Sequence, residues 1–165
     1  MDASQVRPKI IVGVDGSDAS IAALRTAASL AGRLDASVEA WTCWDVPPGF
    51  GLYLVVGVEG FEHAAKQSLE QALAAAFGDE RPAPVRARLV RGKAADALIE
   101  GSRTASLLVV GRRGRGSLVL GSVSSACVSH AHCPVLVVHA SEKAPPGKAG
   151  LESGAQEKNP GGGAQ

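Results

Sequence analysis

The stretch LLVVGRRGRGSLVLGSVSSACVSHAHCPVLVVH, residues 107–139, decides how this chain is read. Ser106–Val110 has the near-continuous apolar character of a strand buried on both faces, and it runs into a loop holding Gly111, Gly114 and Gly116. Glycines in such a loop let successive backbone N–H groups converge on an anion without Cβ interference. Gly121-Ser122 then opens a helix-length segment, Ser122–His130, whose unpaired first amides and positive dipole end attract the same anion. Pro134 introduces a second apolar run, Val135–His139. The order is strand, anion-binding loop, helix, strand, and a nucleotide site is the first hypothesis it raises.

Working outward, the same alternation recurs. Lys9–Val14 (KIIVGV) reads as a strand closed by Asp15-Gly16-Ser17, with Ser17 or Asp18 as the N-cap of a helix over Ala19–Leu34. Ile21, Leu24, Ala27, Ala28, Ala31 and Leu34 give that helix one apolar stripe. Ser37–Trp44 is the second strand, with Trp41 and Trp44 divided between the core and the crevice mouth, and Pro47-Pro48-Gly49 stops regular structure after it. Phe50–Gly60 reads either as a short strand or as an apolar loop. Glu59–Phe77 is helical with Phe61, Ala65, Leu69, Leu73 and Ala76 inward; Val85–Arg91 is a strand and Lys93–Arg103 a helix. From Ser141 onward the chain is rich in Gly, Pro, Lys, Glu and Ala and nearly free of apolar residues, so residues 141–165 are expected to be disordered, behind a domain over 9–140 and a short arm over 1–8.

Composition narrows the function classes. With 17 Lys and Arg against 16 Asp and Glu the net charge is +1, which speaks against nucleic acid as a partner. The 45% hydrophobic content is mostly Ala, Val and Leu with few aromatics, as in small-residue helices packed on valine-rich strands. No apolar run approaches the roughly 20 residues of a membrane span, and the N-terminus has no apolar signal-type segment, so a cytosolic location without membrane contact is expected. Three cysteines, Cys43, Cys127 and Cys133, imply no disulfide framework.

Strands alternating with helices predict an α/β fold: a doubly wound five-stranded parallel sheet with helices on both faces. With the strand order 3-2-1-4-5, the loops after the first and fourth strands meet at the switch point where ligands sit in such sheets. Asp15 and the loop from Gly111 to Gly116 then share one crevice.

The opening IIVGVDGS, the strand and loop LLVVGRRGRG, the helix start GSVSS and the closing CPVLVV together resemble the universal stress protein family over about 130 residues, Lys9 to Ala140. The resemblance implies this same fold, a homodimer, and a family divided between ATP-binding members and members that bind no nucleotide. ATP-binding members carry G-x2-G-x9-G-S/T. Here Gly111-x2-Gly114 and Gly121-Ser122 match its ends, but six residues separate Gly114 from Gly121, three fewer than the pattern. The resemblance implies ATP, with Mg2+ if a triphosphate binds; the short loop admits ADP, AMP or cyclic AMP. By resemblance Asp15 faces the adenosine half and Cys43 lends backbone to adenine, while Gly111, Gly114, Gly121, Ser122 and Ser124 hold ribose and phosphates. Val14, Arg112, Arg113, Arg115, Gly116 and Val123 complete the candidate contact set.

Each of these residues also has a plainer reading. The glycine loop could be a tight strand-to-helix connection, Asp15 a brace for the first helix, and the arginines solvated. Neither G-x4-G-K-S/T nor a dinucleotide fingerprint in its proper place is present. Cys127, His130, His132 and Cys133 form C-x2-H-x-H-C, but Cys127 falls where a helix core residue is expected, and no metal is assigned. No catalytic residue is assigned either, because the crevice shows no Ser-His-Asp spacing or paired carboxylates, so the chain reads as a binder with at most weak ATP hydrolysis. Its alternative reading is a nucleotide-free protein-interaction module with an unidentified protein partner, and a remoter one an adenylyl-transferring enzyme. The apolar last strand, Val135–Val138, lies at a sheet edge in this order and is the expected homodimer contact.

Overall fold

The computed structural model describes residues 6–49, 54–112 and 120–140. Along them run β1 (Lys9–Gly13), α1 (Asp18–Leu34), β2 (Ser37–Trp44), α2 (Leu54–Phe77), β3 (Val85–Arg91), α3 (Ala94–Gly101), β4 (Leu107–Gly111), α4 (Ser122–His130) and β5 (Val135–Val138), with a 3-10 turn at Ser102–Thr104. All four strand pairings are parallel, in the order β3-β2-β1-β4-β5 expected from the sequence. The arm up to Gln5 and the tail from Ser141 lie outside the described residues.

β1 is fully buried at Ile10, Ile11 and Val12, and the pleat divides these three between two cores. Ile10 and Val12 pack with Ala23, Leu24 and Ala27 of α1 and with Leu69 and Leu73 of α2. Ile11 packs on the other face with Trp41, Leu98 of α3 and Cys127 of α4. Small residues on the inner face of α1 bring its backbone close to the sheet. The buried stripe of α1 runs through Ser20, Ala23, Leu24, Ala27 and Ala31; Ser20 satisfies its hydroxyl on the Ser17 carbonyl at 2.9 Å. Leu34, expected inward, is 53% exposed because it lies in the last turn, where Asp35 in the left-handed conformation swings the chain toward β2.

Six elements begin or end elsewhere than expected. α1 begins at Asp18, one residue ahead of expectation, and of the two N-cap candidates it is Ser17 that caps it: the Ser17 hydroxyl accepts the Ser20 N–H at 3.2 Å. α2 starts at Leu54, so the part of Phe50–Gly60 read as strand or loop is helical from there on; residues 50–53 lie outside the described set. Gly57 and Gly60 lower helix propensity there, but extending an established helix needs only one more bond per residue fixed. The expected helix Lys93–Arg103 is an α-helix only to Gly101 and closes as a 3-10 turn. β1 and β5 stop one residue early, and β4 is shifted one residue onward.

Trp41 takes both roles that were divided between the two tryptophans. It is 6% exposed in the second core and it also lines the crevice, whereas Trp44 is absent from the crevice wall and carries Arg91 at 5.6 Å from its ring. The Trp41 indole N–H donates to Glu39 at 2.8 Å, and the Arg88 guanidinium stacks 4.8 Å from its ring. Gly101 lies beneath it: a Cβ there would meet ring carbons at 2.6 and 2.7 Å. Among the described residues no helix is long and apolar enough to cross a membrane.

Gly101→Ala is therefore expected to destabilise the fold by about 1–3 kcal/mol through overpacking. Gly57→Ala, in open space within α2, should be neutral or stabilise by up to about 1 kcal/mol. Urea denaturation of the two variants measures both.

Candidate functional site

Beyond the carboxyl ends of β1 and β4, where α1 and α4 leave for opposite faces, the sheet opens into a crevice of about 410 Å³. Val14 continues β1 by donating its N–H to the Trp41 carbonyl at 2.8 Å, and its own carbonyl accepts the Thr42 hydroxyl at 3.0 Å. The chain then turns through Gly16, at φ 81, a conformation that glycine adopts without strain. In that turn Asp15 Oδ1 accepts the Ser17 N–H at 3.0 Å. Asp15 thus braces the start of α1 and lines the crevice at once; the two readings of this residue are compatible.

The opposite wall is the first turn of α4. Gly121 is its N-cap and makes no side-chain cap. The Gly121 carbonyl accepts the Ser125 N–H at 2.9 Å and the Ser124 hydroxyl at 3.1 Å. The amides of Ser122, Val123 and Ser124 precede the first intrahelical bond, and all three residues line the crevice. An anion seated there would meet amides that have no partner among the described residues, at the positive end of the helix dipole.

Of the residues selected from sequence, Val14, Asp15, Cys43, Gly111, Gly121, Ser122, Val123 and Ser124 come together on this crevice. Arg113, Gly114, Arg115 and Gly116 lie outside the described residues. Arg112 is not on the crevice wall: its N–H donates to the Val138 carbonyl at 2.7 Å and its guanidinium lies 3.3 Å from His139 Nδ1, so it ties the end of β4 to β5. Gly111 has a packing reason of its own. A Cβ there would sit 2.6 Å from the Ala19 carbonyl carbon and 2.7 Å from the Ser20 nitrogen, because the first turn of α1 crosses the end of β4.

Among the crevice residues that the sequence reading missed are Ser17, Ser20, Thr42, Ser68 and Leu98. Thr42 closes the buried alternation Val38, Ala40, Thr42 within β2, which is a usable signal; Ser68 and Leu98 look in sequence like any helix serine and any core leucine. Among the described residues no group of three or more His, Cys, Asp or Glu is placed to hold a metal. Burial, together with the charge of Cys127, pushes the Cys43 thiol from 9.0 up to about 11, and burial with the charge of Cys133 does the same to Cys127. Both are neutral thiols at physiological pH, not nucleophiles.

Unfolding frees thiols that ionise near 9, whereas the folded thiols hold their protons to about 11, so their stabilising share is complete below pH 9 and lost between about pH 9 and 11. Chemical denaturation should show stability falling across that window, less steeply in Cys43→Ser. Iodoacetamide at pH 8 should leave Cys43 and Cys127 largely unmodified in the folded protein, as peptide mass mapping would show.

A parallel sheet in the order 3-2-1-4-5, with an open crevice at its switch point, defines a doubly wound α/β protein. A sequence model of the universal stress protein family matches residues 7–139, and the chain belongs to that family. It is 33% identical over 145 residues to a universal stress protein of Mycolicibacterium smegmatis, covering 82% of this chain and 49% of that one. A second relative, from Methanocaldococcus jannaschii, is 32% identical over 142 residues, covering 82% of this chain and 84% of that protein. The chain thus spans about half the length of the first relative and most of the second. Among solved structures, a universal stress protein in complex with cAMP superposes with a TM-score of 0.65 at 26% identity, covering 81% of this chain and 98% of that one.

Proposed function

We propose that the chain is an adenine-nucleotide-binding regulator of the stress response that acts in the cytosol with little or no turnover. The observation that carries this is the pairing, across one crevice, of the open first turn of α4 with the Asp15 carboxylate. The helix start suits a phosphate, and the carboxylate accepts from sugar hydroxyls or an amino group. The cAMP complex of the similar universal stress protein supports an adenine ligand. ATP, with Mg2+ on its phosphates, is the triphosphate form of this reading. The loop, three residues shorter than the ATP-binding pattern, leaves less backbone for the outer phosphates and favours ADP, AMP or cyclic AMP. The same shortening favours a second reading, a nucleotide-free module that binds a protein partner.

Protein purified without heating and then denatured should release an adenine nucleotide identifiable by mass. Calorimetric titration of ATP, ADP, AMP and cyclic AMP should show binding that weakens at least about tenfold in Asp15→Ala, the loss of one or two hydrogen bonds to a charged group. No released nucleotide and no heat at millimolar ligand would replace this reading with the protein-binding one.

We also propose a homodimer through β5, an edge strand half-buried at all four positions. Sedimentation at micromolar concentration should give the mass of a dimer; a monomer would overturn the proposal.

A further inference from the structure

We infer that Thr42 is a positioning residue: its hydroxyl takes the place of the Cys43 N–H on the Val14 carbonyl, and so leaves the Cys43 peptide open to the crevice as a paired donor and acceptor for the edge of a purine. In a parallel sheet the N–H and C=O of one residue point to the same neighbouring strand, and successive residues alternate between neighbours. The Ser37 N–H donates to Pro8 and the Trp41 carbonyl accepts from Val14, so odd-numbered residues of β2 address β1. The Val38 N–H donates to Pro84 and the Trp44 carbonyl accepts from Gly92, so even-numbered residues address β3. Cys43 therefore points its peptide groups toward β1.

One more rung of the ladder would bring the Cys43 N–H onto the Val14 carbonyl. That carbonyl instead accepts from Thr42 Oγ1 at 3.0 Å, and the pairing ends at Gly13 with Trp41. Thr42 is 6% exposed, so its hydroxyl is held in a dry setting where an unpaired partner would be costly. Among the described residues neither the N–H nor the C=O of Cys43 has a hydrogen-bond partner, and Cys43 lines the crevice. Adenine presents a ring-nitrogen acceptor beside an exocyclic amino donor, the complement of one open peptide edge. This assignment of the base end rests on the adenine-nucleotide reading; the exchange of donors at Val14 does not.

The test uses Thr42→Val, which keeps the shape and removes the donor, and Thr42→Ser, which keeps the donor. In the nucleotide-free protein the Cys43 amide should exchange rapidly with solvent. In Thr42→Val the Val14 carbonyl should capture it, slowing exchange at least tenfold by NMR, and AMP and cyclic AMP should bind about tenfold more weakly by calorimetry. Thr42→Ser should restore both values. Unchanged Cys43 exchange in Thr42→Val, or failure of Thr42→Ser to restore it, would overturn the inference. The expected exchange behaviour in a wild-type protein that binds no adenine nucleotide would overturn the functional reading and leave the role of Thr42 at Val14 standing.

Discussion

Everything in this molecule depends on the burial of β1 from both sides. Ile10 and Val12 need one apolar cover and Ile11 needs another, so the chain must lay helices on opposite faces of a parallel sheet. Once α1 covers one face and α4 the other, the loops after β1 and β4 have to part. The crevice is the space left by that parting, and it exists before any ligand is considered.

Few charged groups surround the crevice. Asp15 is its one carboxylate among the described lining residues, and its thiol, on Cys43, keeps its proton. Recognition in such a setting rests on peptide groups and hydroxyls placed by the ends of strands and the starts of helices.

Strand order and helix order were readable because the apolar segments are long and differ in period: KIIVGV, LLVV and VLVV cannot be mistaken for amphipathic helices, nor can the stripe of α1 for a strand. The start of α2 was not readable, because LVVGV pairs β-branched residues with glycine and gives no period of its own; the periodic segment after it carries the helix backward. Leu34 was misplaced because spacing marks a face but not where the neighbouring sheet ends. In the crevice, the glycines, Asp15 and the GSVSS helix start announced themselves through local chemistry. Thr42 did not, because its role comes from a hydrogen bond to a residue 28 positions away, and the place of Arg112 is likewise set by a distant residue, His139, 27 positions on.

The contact between Gly111 and the first turn of α1 changes what the opening glycine of the loop pattern signifies. With Ala19 and Ser20 backbone atoms within 2.7 Å of where a Cβ would sit, this glycine is a joint between strand and helix. A variant of the chain that bound nothing would still have to keep it, since a side chain there would prise α1 off the sheet. The opening glycine is thus a marker of architecture, required by the packing of strand and helix whether or not a ligand is held.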